Sequence, residues 1–241
     1  MKRHRPIRML SVALVAIAAF ILTAASPTGR AKAKEDIPFE IAKIIFEFNS
    51  SGPDLGIQIS LDGEPWNKIR VVDPNGRVIF DVQGKGVLKK FGLTELFVES
   101  DEPNFADMSK DEILALFPEG EYEFSGTTVD GNRLVGTATL THNISDGPVI
   151  VSPTPATVVS NTLVITWNQV TTPSGINIVS YQVIVGELFQ VTVPATQAAT
   201  QSVTVPPEFV VSLAAGVQRF EVLAIEAGGN QTITEGSFTK Q

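Results

Sequence analysis

Residues 120–142 read GEYEFSGTTVDGNRLVGTATLTH, and this alternation limits the fold more than any other feature. Tyr122, Phe124 and Gly126 share one parity before Asp130-Gly131-Asn132; Leu134, Ala138 and Leu140 share one after it. Side chains alternate between faces along a strand, so each arm has one apolar face, and Asp-Gly is the turn chemistry of a hairpin. From Ile37 onward the same texture repeats, with Asp62-Gly63 and Asp73-Pro74-Asn75-Gly76 expected to reverse the chain.

One segment departs from it. In MSKDEILALFPEG, Ser109 stands as N-cap with Glu112 three residues on, Met108 and Ile113 occupy the two staple positions, and Pro118 stops the run. A short helix near residues 109–117 is expected, preceded by an acidic, turn-rich loop, ESDEPNFADM. Near residue 147 the texture changes again. Gly147, Pro148, Pro153 and Pro155 separate two patterned regions, and proline cannot serve a central ladder, so a linker running into an edge strand is expected. Beyond it charge nearly vanishes and Val and Thr dominate in short runs: TLVITW, SYQVIV, QVTVP, SVTVP and RFEVLAIE. Strands at that spacing suggest a sandwich. The fold class is therefore all-β: two tandem β-sandwich domains, over residues 35–146 and 148–241.

Residues 148–241 resemble a fibronectin type III domain. TLVITWNQV is similar to that family's second strand, with Trp167 at the core tryptophan position. IVSYQVIVG, opened by Tyr181, is similar to its third strand, and FEVLAIEAGGN to its sixth. The resemblance implies a seven-stranded, two-sheet Greek key in which Trp167, Tyr181, Phe220 and Val222 are core, with Phe220, Val222 and Ala224 facing Trp167. It departs from the family at Gln218, where a corner tyrosine is usual. Residues 35–146 resemble bacterial immunoglobulin-like domains through VVDPNGRVIFDV and the Gly-x-Tyr strand of the first hairpin; the helix and acidic loop are additions to that pattern.

Residues 1–33 have the form of a signal peptide: Lys2, Arg3, Arg5 and Arg8, then an uncharged run from Met9 to Ala25, then small residues. Cleavage after Ala33 or after Ala25 fits; the alternative is a retained anchor, for which the run is a little short. Six of the 18 lysines and arginines lie there and none of the 26 acids, so the remainder carries 12 positive against 26 negative groups, a net of −14. Such a surface repels DNA, RNA and anionic membranes over a screening length of about 8 Å. No nucleic-acid partner and no membrane insertion after cleavage are expected, and the protein is placed in the periplasm or outside the cell.

Residue types restrict the chemistry. With no cysteine, thiolate catalysis and sulfur-bound zinc are out, and His142 is the one histidine after residue 33. At a strand end it is better suited to a structural hydrogen bond than to catalysis. Gly84, Lys85 and Gly86 lack the rest of a phosphate-binding loop, so a glycine turn before a basic strand edge is expected. Trp66, beside Gly63-Glu64-Pro65, offers either a core aromatic or a partly exposed sugar platform. Glu95, Glu99, Asp101, Glu102, Asp107, Asp111 and Glu112 form the densest acidic stretch, without the spacing of a calcium loop. A solvated face accounts for most of them, with Asp111 and Glu112 as first-turn acids on the helix. No catalytic residue, metal or cofactor is assigned. The expectation is a non-catalytic exported binding or spacer module at the cell envelope, its partner a protein or polysaccharide. Phe97, Glu99, Asp101, Glu102, Phe105 and Asp107 are its candidate binding residues, since recognition sits on loops held by rigid frames. The alternatives are a carboxylate-based glycosidase with an accessory fibronectin type III domain, and a subunit that polymerises through sheet edges.

Overall fold

Alternation becomes sheet almost throughout the computed structural model, which describes residues 34–241. The signal segment expected over residues 1–33, with both cleavage points, lies outside them. Strands β1 (Asp36–Pro38), β2 (Ile41–Asn49), β3 (Asp54–Val72), β4 (Val78–Gln83) and β5 (Leu93–Glu99) come first, with helix α1 (Gly86–Phe91) between the last two. Helix α2 (Lys110–Leu116) leads into the hairpin β6 (Gly120–Thr128) and β7 (Arg133–Leu140). Then follow β8 (Ile150–Ser152), β9 (Val158–Val159), β10 (Leu163–Asn168), β11 (Ile178–Val185), β12 (Phe189–Pro194) and β13 (Thr200–Val205). Helix α3 (Pro207–Ser212) precedes the closing hairpin β14 (Gly216–Glu226) and β15 (Gln231–Lys240). The chain is all-β, and its two hydrophobic clusters do not mix: one draws on residues 39–144, the other on residues 159–238.

The first sandwich is organised by β3, 19 residues long. Its first half pairs with β2 and β5; its second half pairs with β4 and β6. Leu55, Ile57, Ile59 and Leu61 face inward from its first half, and Ile69 and Val71 from its second half together with Tyr122, Phe124 and Leu134 of β6 and β7, all within one continuous sheet. Asp62-Gly63 is therefore not a reversal, contrary to the sequence expectation. The chain runs on through it with a register shift between Asp62 and Trp66, and a Cβ on Gly63 would lie 3.3 Å from the Phe39 ring. Glycine serves a bulge as well as a turn, and here it lets one strand bend so that both of its halves face the same core. Trp66 sits at that bend and is fully buried, which rules it out as a sugar platform. The other two turns do form. The Asp73 carboxylate accepts from the backbone N–H of Asn75 and of Arg77 and from Arg77 Nε, at 3.0, 2.7 and 2.6 Å.

The capping box at α2 is complete: Ser109 Oγ accepts from Glu112 N, and Glu112 Oε2 accepts from Ser109 N at 2.9 Å. Segment 86–91 is a second correction. It was expected as a basic strand edge and is the short helix α1, with no side chain buried.

In the second sandwich a three-stranded sheet, β13-β10-β8, faces β15-β14-β11-β12. Trp167 comes from the first sheet; Tyr181, Phe220, Val222 and Ala224 come from the second, and all are buried in one cluster. The Trp167 and Tyr181 rings lie 5.3 Å apart, and the Tyr181 hydroxyl accepts from Val170 N at 2.8 Å. The linker is packed rather than loose. Ile144, Ser145 and Pro148 are buried, and β2 pairs in parallel with β15 through Glu47↔Gln231, Phe48↔Thr232 and Asn49↔Ile233. Asn230 ties this seam. Its Oδ1 accepts from Phe46 N at 2.9 Å, while its Nδ2 donates to Thr141 O at 2.9 Å and to Asn143 O at 3.1 Å.

Candidate functional site

Strand parity exposes one face of the first sandwich as it buries the other. On β5, Leu96 and Val98 pack inward, so Glu95, Phe97 and Glu99 must point out. Opposite them on β3 stand Asp62, Ser60 and Gln58, and beyond these on β2 stand Ile41, Lys43 and Ile45. Phe97 is 61% exposed and Ile41 49%, and both line a shallow groove of about 460 Å³ with Ser60, Asp62 and Glu95.

Further along the same face the acidic loop folds back. Ser100 N donates to Ile57 O and Ile57 N donates to Ser100 Oγ, both at 2.9 Å, which prolongs the β5 pairing. The Glu102 side chain then crosses Gly56 so closely that a Cβ there would fall 2.6 Å from its Cγ. Gly56 is the cross-strand partner of Glu47, so the crossing delivers Glu102 to Glu47. Carboxylate oxygens of Glu47, Glu99 and Glu102 lie within 4.8 Å of one another. Burial and then the charges of Glu102 and Glu99 push the Glu47 carboxyl up to about 7. Burial, followed by Asp54, Glu99 and Asp101, raises that of Glu102, and burial lowers the Lys43 ammonium. If any residues here hold a metal, these three would. They supply only part of the six to eight oxygens that calcium takes.

The six expected binding residues thus separate. Phe97, Glu99 and Glu102 share the face, with Gln58 Nε2 donating to Glu99 Oε1 at 3.1 Å. Asp101 and Asp107 are exposed and outside the carboxylate triplet. Phe105 turns inward and stacks on Phe48 at 5.7 Å with planes 9° apart, and Lys110 Nζ lies 5.3 Å from the Phe48 centroid. It packs the loop against the sheet. His142 is structural too: its Nε2 is 2.8 Å from Phe117 O, and its backbone N–H donates to Glu119. Sequence reasoning missed Glu47, Lys43, Ile41 and Asp62. One signal was present: in IAKIIFEFN, Ile45 breaks the parity of Ile44, Phe46 and Phe48, as an outward apolar residue does when something covers it. Gly229 of the β14–β15 turn does cover it, close enough that a Cβ there would lie 3.2 Å from Ile45.

No protein-family model and no curated protein matches the chain. Solved structures do. Fibronectin(III)-like modules of CbhA from Clostridium thermocellum align at 12% identity over 83% of this chain and 94% of that one, with a TM-score of 0.31. A 1.5-MDa bacterial ice-binding adhesin aligns at 15% identity over 86% of this chain and 65% of its own, with a TM-score of 0.27. A tetra-tandem repeat from the extending region of a large adhesion protein aligns at 14% identity over 82% and 49%, with a TM-score of 0.29. The chain thus spans about two thirds and about half of the last two. Likenesses this distant leave function to this chain's own residues.

Proposed function

We propose that the protein is a non-catalytic exported binding module, held at or outside the cell envelope, that contacts an extended polysaccharide or protein through the outer face of β2, β3 and β5. Residues 148–241 act as a fibronectin type III-like domain, and residues 35–146 as an immunoglobulin-like domain that carries the site. The observation behind the proposal is the exposed Phe97 ring set among Asp62, Glu95 and Glu99 over an open groove. A ring face offers stacking to the apolar side of a sugar, and the flanking carboxylates accept hydrogen bonds from hydroxyl or amine groups. Open, shallow geometry suits a polymer lying across the sheet better than a small molecule, which calls for deeper enclosure. A net charge of −14 after residue 33 disfavours polyanions. Among the described residues no helix is long and apolar enough to cross a membrane.

Glycosidase activity has one observation in its favour: Glu47 is pushed up to about 7 beside Glu99 and Glu102, the split expected of an acid–base pair. Crowding counts against it. Retaining pairs flank a bond from either side, whereas these carboxylates turn toward one another around the half-buried Glu47, with oxygens within 4.8 Å.

The test is association of the exported protein with isolated envelope fractions and cell-wall polysaccharides, comparing wild type with Phe97→Ser and with Glu99→Gln/Asp101→Asn/Glu102→Gln/Asp107→Asn. Association lost at unchanged melting temperature supports the proposal; association retained by both variants sinks it. Release of reducing sugar that disappears in Glu47→Gln would instead establish the enzyme.

A further inference from the structure

Of the 12 lysines and arginines after residue 33, three (Lys85, Lys89 and Lys90) fall within seven residues, and no acid occurs from residue 82 to residue 94. This is the charge pattern of the rest of the chain inverted. The structure folds the segment into α1, a helix with no buried residue, between β4 and β5. Phe91, 85% exposed, and Val87, 79%, are the most exposed large apolar side chains of the first sandwich, and Leu88 is 50% exposed. At about 100° per residue, Val87, Leu88 and Phe91 share a single arc, with Lys89 and Lys90 to either side of it. Gly84 N donates to Asn67 O, and Gly92 lies against Pro65 and Val129, so the helix is held at both ends as a projection. Glu64 and Asp130 adjoin Pro65 and Val129 in sequence, and Asp81 is paired with Lys68 at 3.2 Å.

We propose that α1 is a membrane-surface tip, which sets Val87, Leu88 and Phe91 into the interface of an anionic phospholipid bilayer with Lys85, Lys89 and Lys90 against the headgroups. Short apolar arcs bordered by lysine match a bilayer in both layers: anionic groups outside, acyl chains beneath. Protein partners are a poorer fit. A stable interface needs about 800 Å² on each side with complementary shape, and three side chains on a convex projection provide neither. A bilayer demands no shape. The chain's acidic remainder does not prevent this, because salt screens charges beyond about 8 Å. It would instead orient the molecule, tip toward the membrane and acidic faces away.

The absence of cysteine makes a site-specific test available. An environment-sensitive fluorophore on Val87→Cys, and separately on Phe91→Cys, is titrated in the exported protein with vesicles of phosphatidylcholine containing phosphatidylglycerol, and with phosphatidylcholine alone. Leu188→Cys, 88% exposed on the second sandwich, is the reference position. The expected result is a blue shift at positions 87 and 91 with anionic vesicles only, and none at 188. Lysines near an anionic surface contribute about 1 kcal/mol each, so Lys85→Gln/Lys89→Gln/Lys90→Gln should weaken partition about a hundredfold. Any of three results overturns the proposal: no shift at 87 and 91, an equal shift with neutral vesicles, or a vesicle-independent shift that grows with protein concentration, which would assign the patch to a second copy of the chain. Because all six side chains are exposed, circular dichroism should be the same for every variant.

Discussion

Tyr122 and Gln218 occupy matching places in the two sandwiches. Each lies near the start of the first strand of a closing hairpin, β6 or β14, just after a short helix, α2 or α3. Each ties its side chain to the carbonyl four residues back: the Tyr122 hydroxyl donates to Pro118 O at 3.0 Å, and Gln218 Nε2 donates to Ala214 O at 2.9 Å. A tyrosine that bonds back at this corner is a hallmark of immunoglobulin-like sandwiches. The corner tyrosine thus stands in the half likened to immunoglobulin-like domains, and the half likened to fibronectin type III makes the same bond with an amide. What recurs is the bond, not the residue. The two differ in what else the side chain does: the Tyr122 ring is wholly buried in the first core, whereas Gln218 stays at the surface.

Truncating the core tryptophans tests most severely whether the halves are equals. Trp66 and Trp167 are both fully buried, and neither indole N–H has a hydrogen-bond partner. Trp167→Ala and Trp66→Ala should each cost about 3 to 5 kcal/mol, a large share of a domain's stability. Replacement by Phe should cost far less, because it removes an unpaired donor along with the lost area. Chemical denaturation measures all four. A cost below about 1 kcal/mol for Trp167→Ala would mean that the second core is not organised around it.

The seam is next in size. Asn230→Ala removes the acceptor of Phe46 N and the donor to Thr141 O and Asn143 O at a buried site. Buried groups left unpaired cost about 1 to 3 kcal/mol each, so a loss of about 2 to 3 kcal/mol is expected. Its form matters more than its size. If the parallel pairing of β2 with β15 makes the halves unfold together, the wild type shows one transition and Asn230→Ala separates it into two. Two transitions already in the wild type would mean that the halves are energetically independent.

How much of this was legible in the sequence depends on contact range. The α2 capping box, the Asp73 turn and the β6–β7 hairpin are local, set by residues within a few positions of one another, and they form. Local signals were also ambiguous. Asp62-Gly63 suits a turn or a bulge equally, and only Phe39, more than twenty residues back, makes it a bulge. Helix α1 has no side-chain cap and glycines at its start, and α3 begins at Pro207 behind Pro206 with no capping side chain, so neither announced itself. Of the candidate site, Phe97 and Glu99 were legible through parity. Glu47 was not, because its neighbours Glu99 and Glu102 arrive from over fifty residues away across Gly56. The β2–β15 seam joins strands more than 180 residues apart, and no pattern in either strand names the other.

The corners themselves sharpen the comparison at a smaller scale. Tyr122→Phe leaves the ring in place and removes only its bond to Pro118 O, so about 1 to 1.5 kcal/mol should be lost. Gln218→Ala removes the equivalent bond where water can replace it, so the loss should stay under about 0.5 kcal/mol. Equal losses, read from denaturation midpoints, would show that the bond matters at both corners irrespective of burial.

The smallest expected effect is also the one that belongs to the first sandwich alone. Glu47 faces Glu99 from β5, Glu102 from the acidic loop and Glu221 from β14, with Lys43 as a cation on its own strand. Burial and these carboxylates push its carboxyl from an ordinary 4.5 up to about 7. A carboxyl raised on folding binds its proton more tightly in the native state. Its contribution is therefore complete below the unfolded value and is lost as pH rises through about 7. The protein should gain stability as pH falls from 8 to 5, the reverse of a carboxylate held by a salt bridge. Glu47 is only half-buried, so solvent screening keeps the gain to under about 1 kcal/mol. Glu102 and Glu221 are raised in the same sense and add to the slope without changing its sign. Glu47→Gln carries no charge at any pH. It should be more stable than the wild type at pH 8, and the difference should close by pH 5. Melting curves at both values decide it: an equal offset at pH 8 and pH 5 would mean that the three carboxylates do not feel one another. The same logic governs the proposed binding surface, since neutralising Glu99 and Glu102 relieves Glu47. Variants that abolish partner association there should hold or raise the melting temperature at pH 8, which separates a surface kept acidic for contact from one kept for stability.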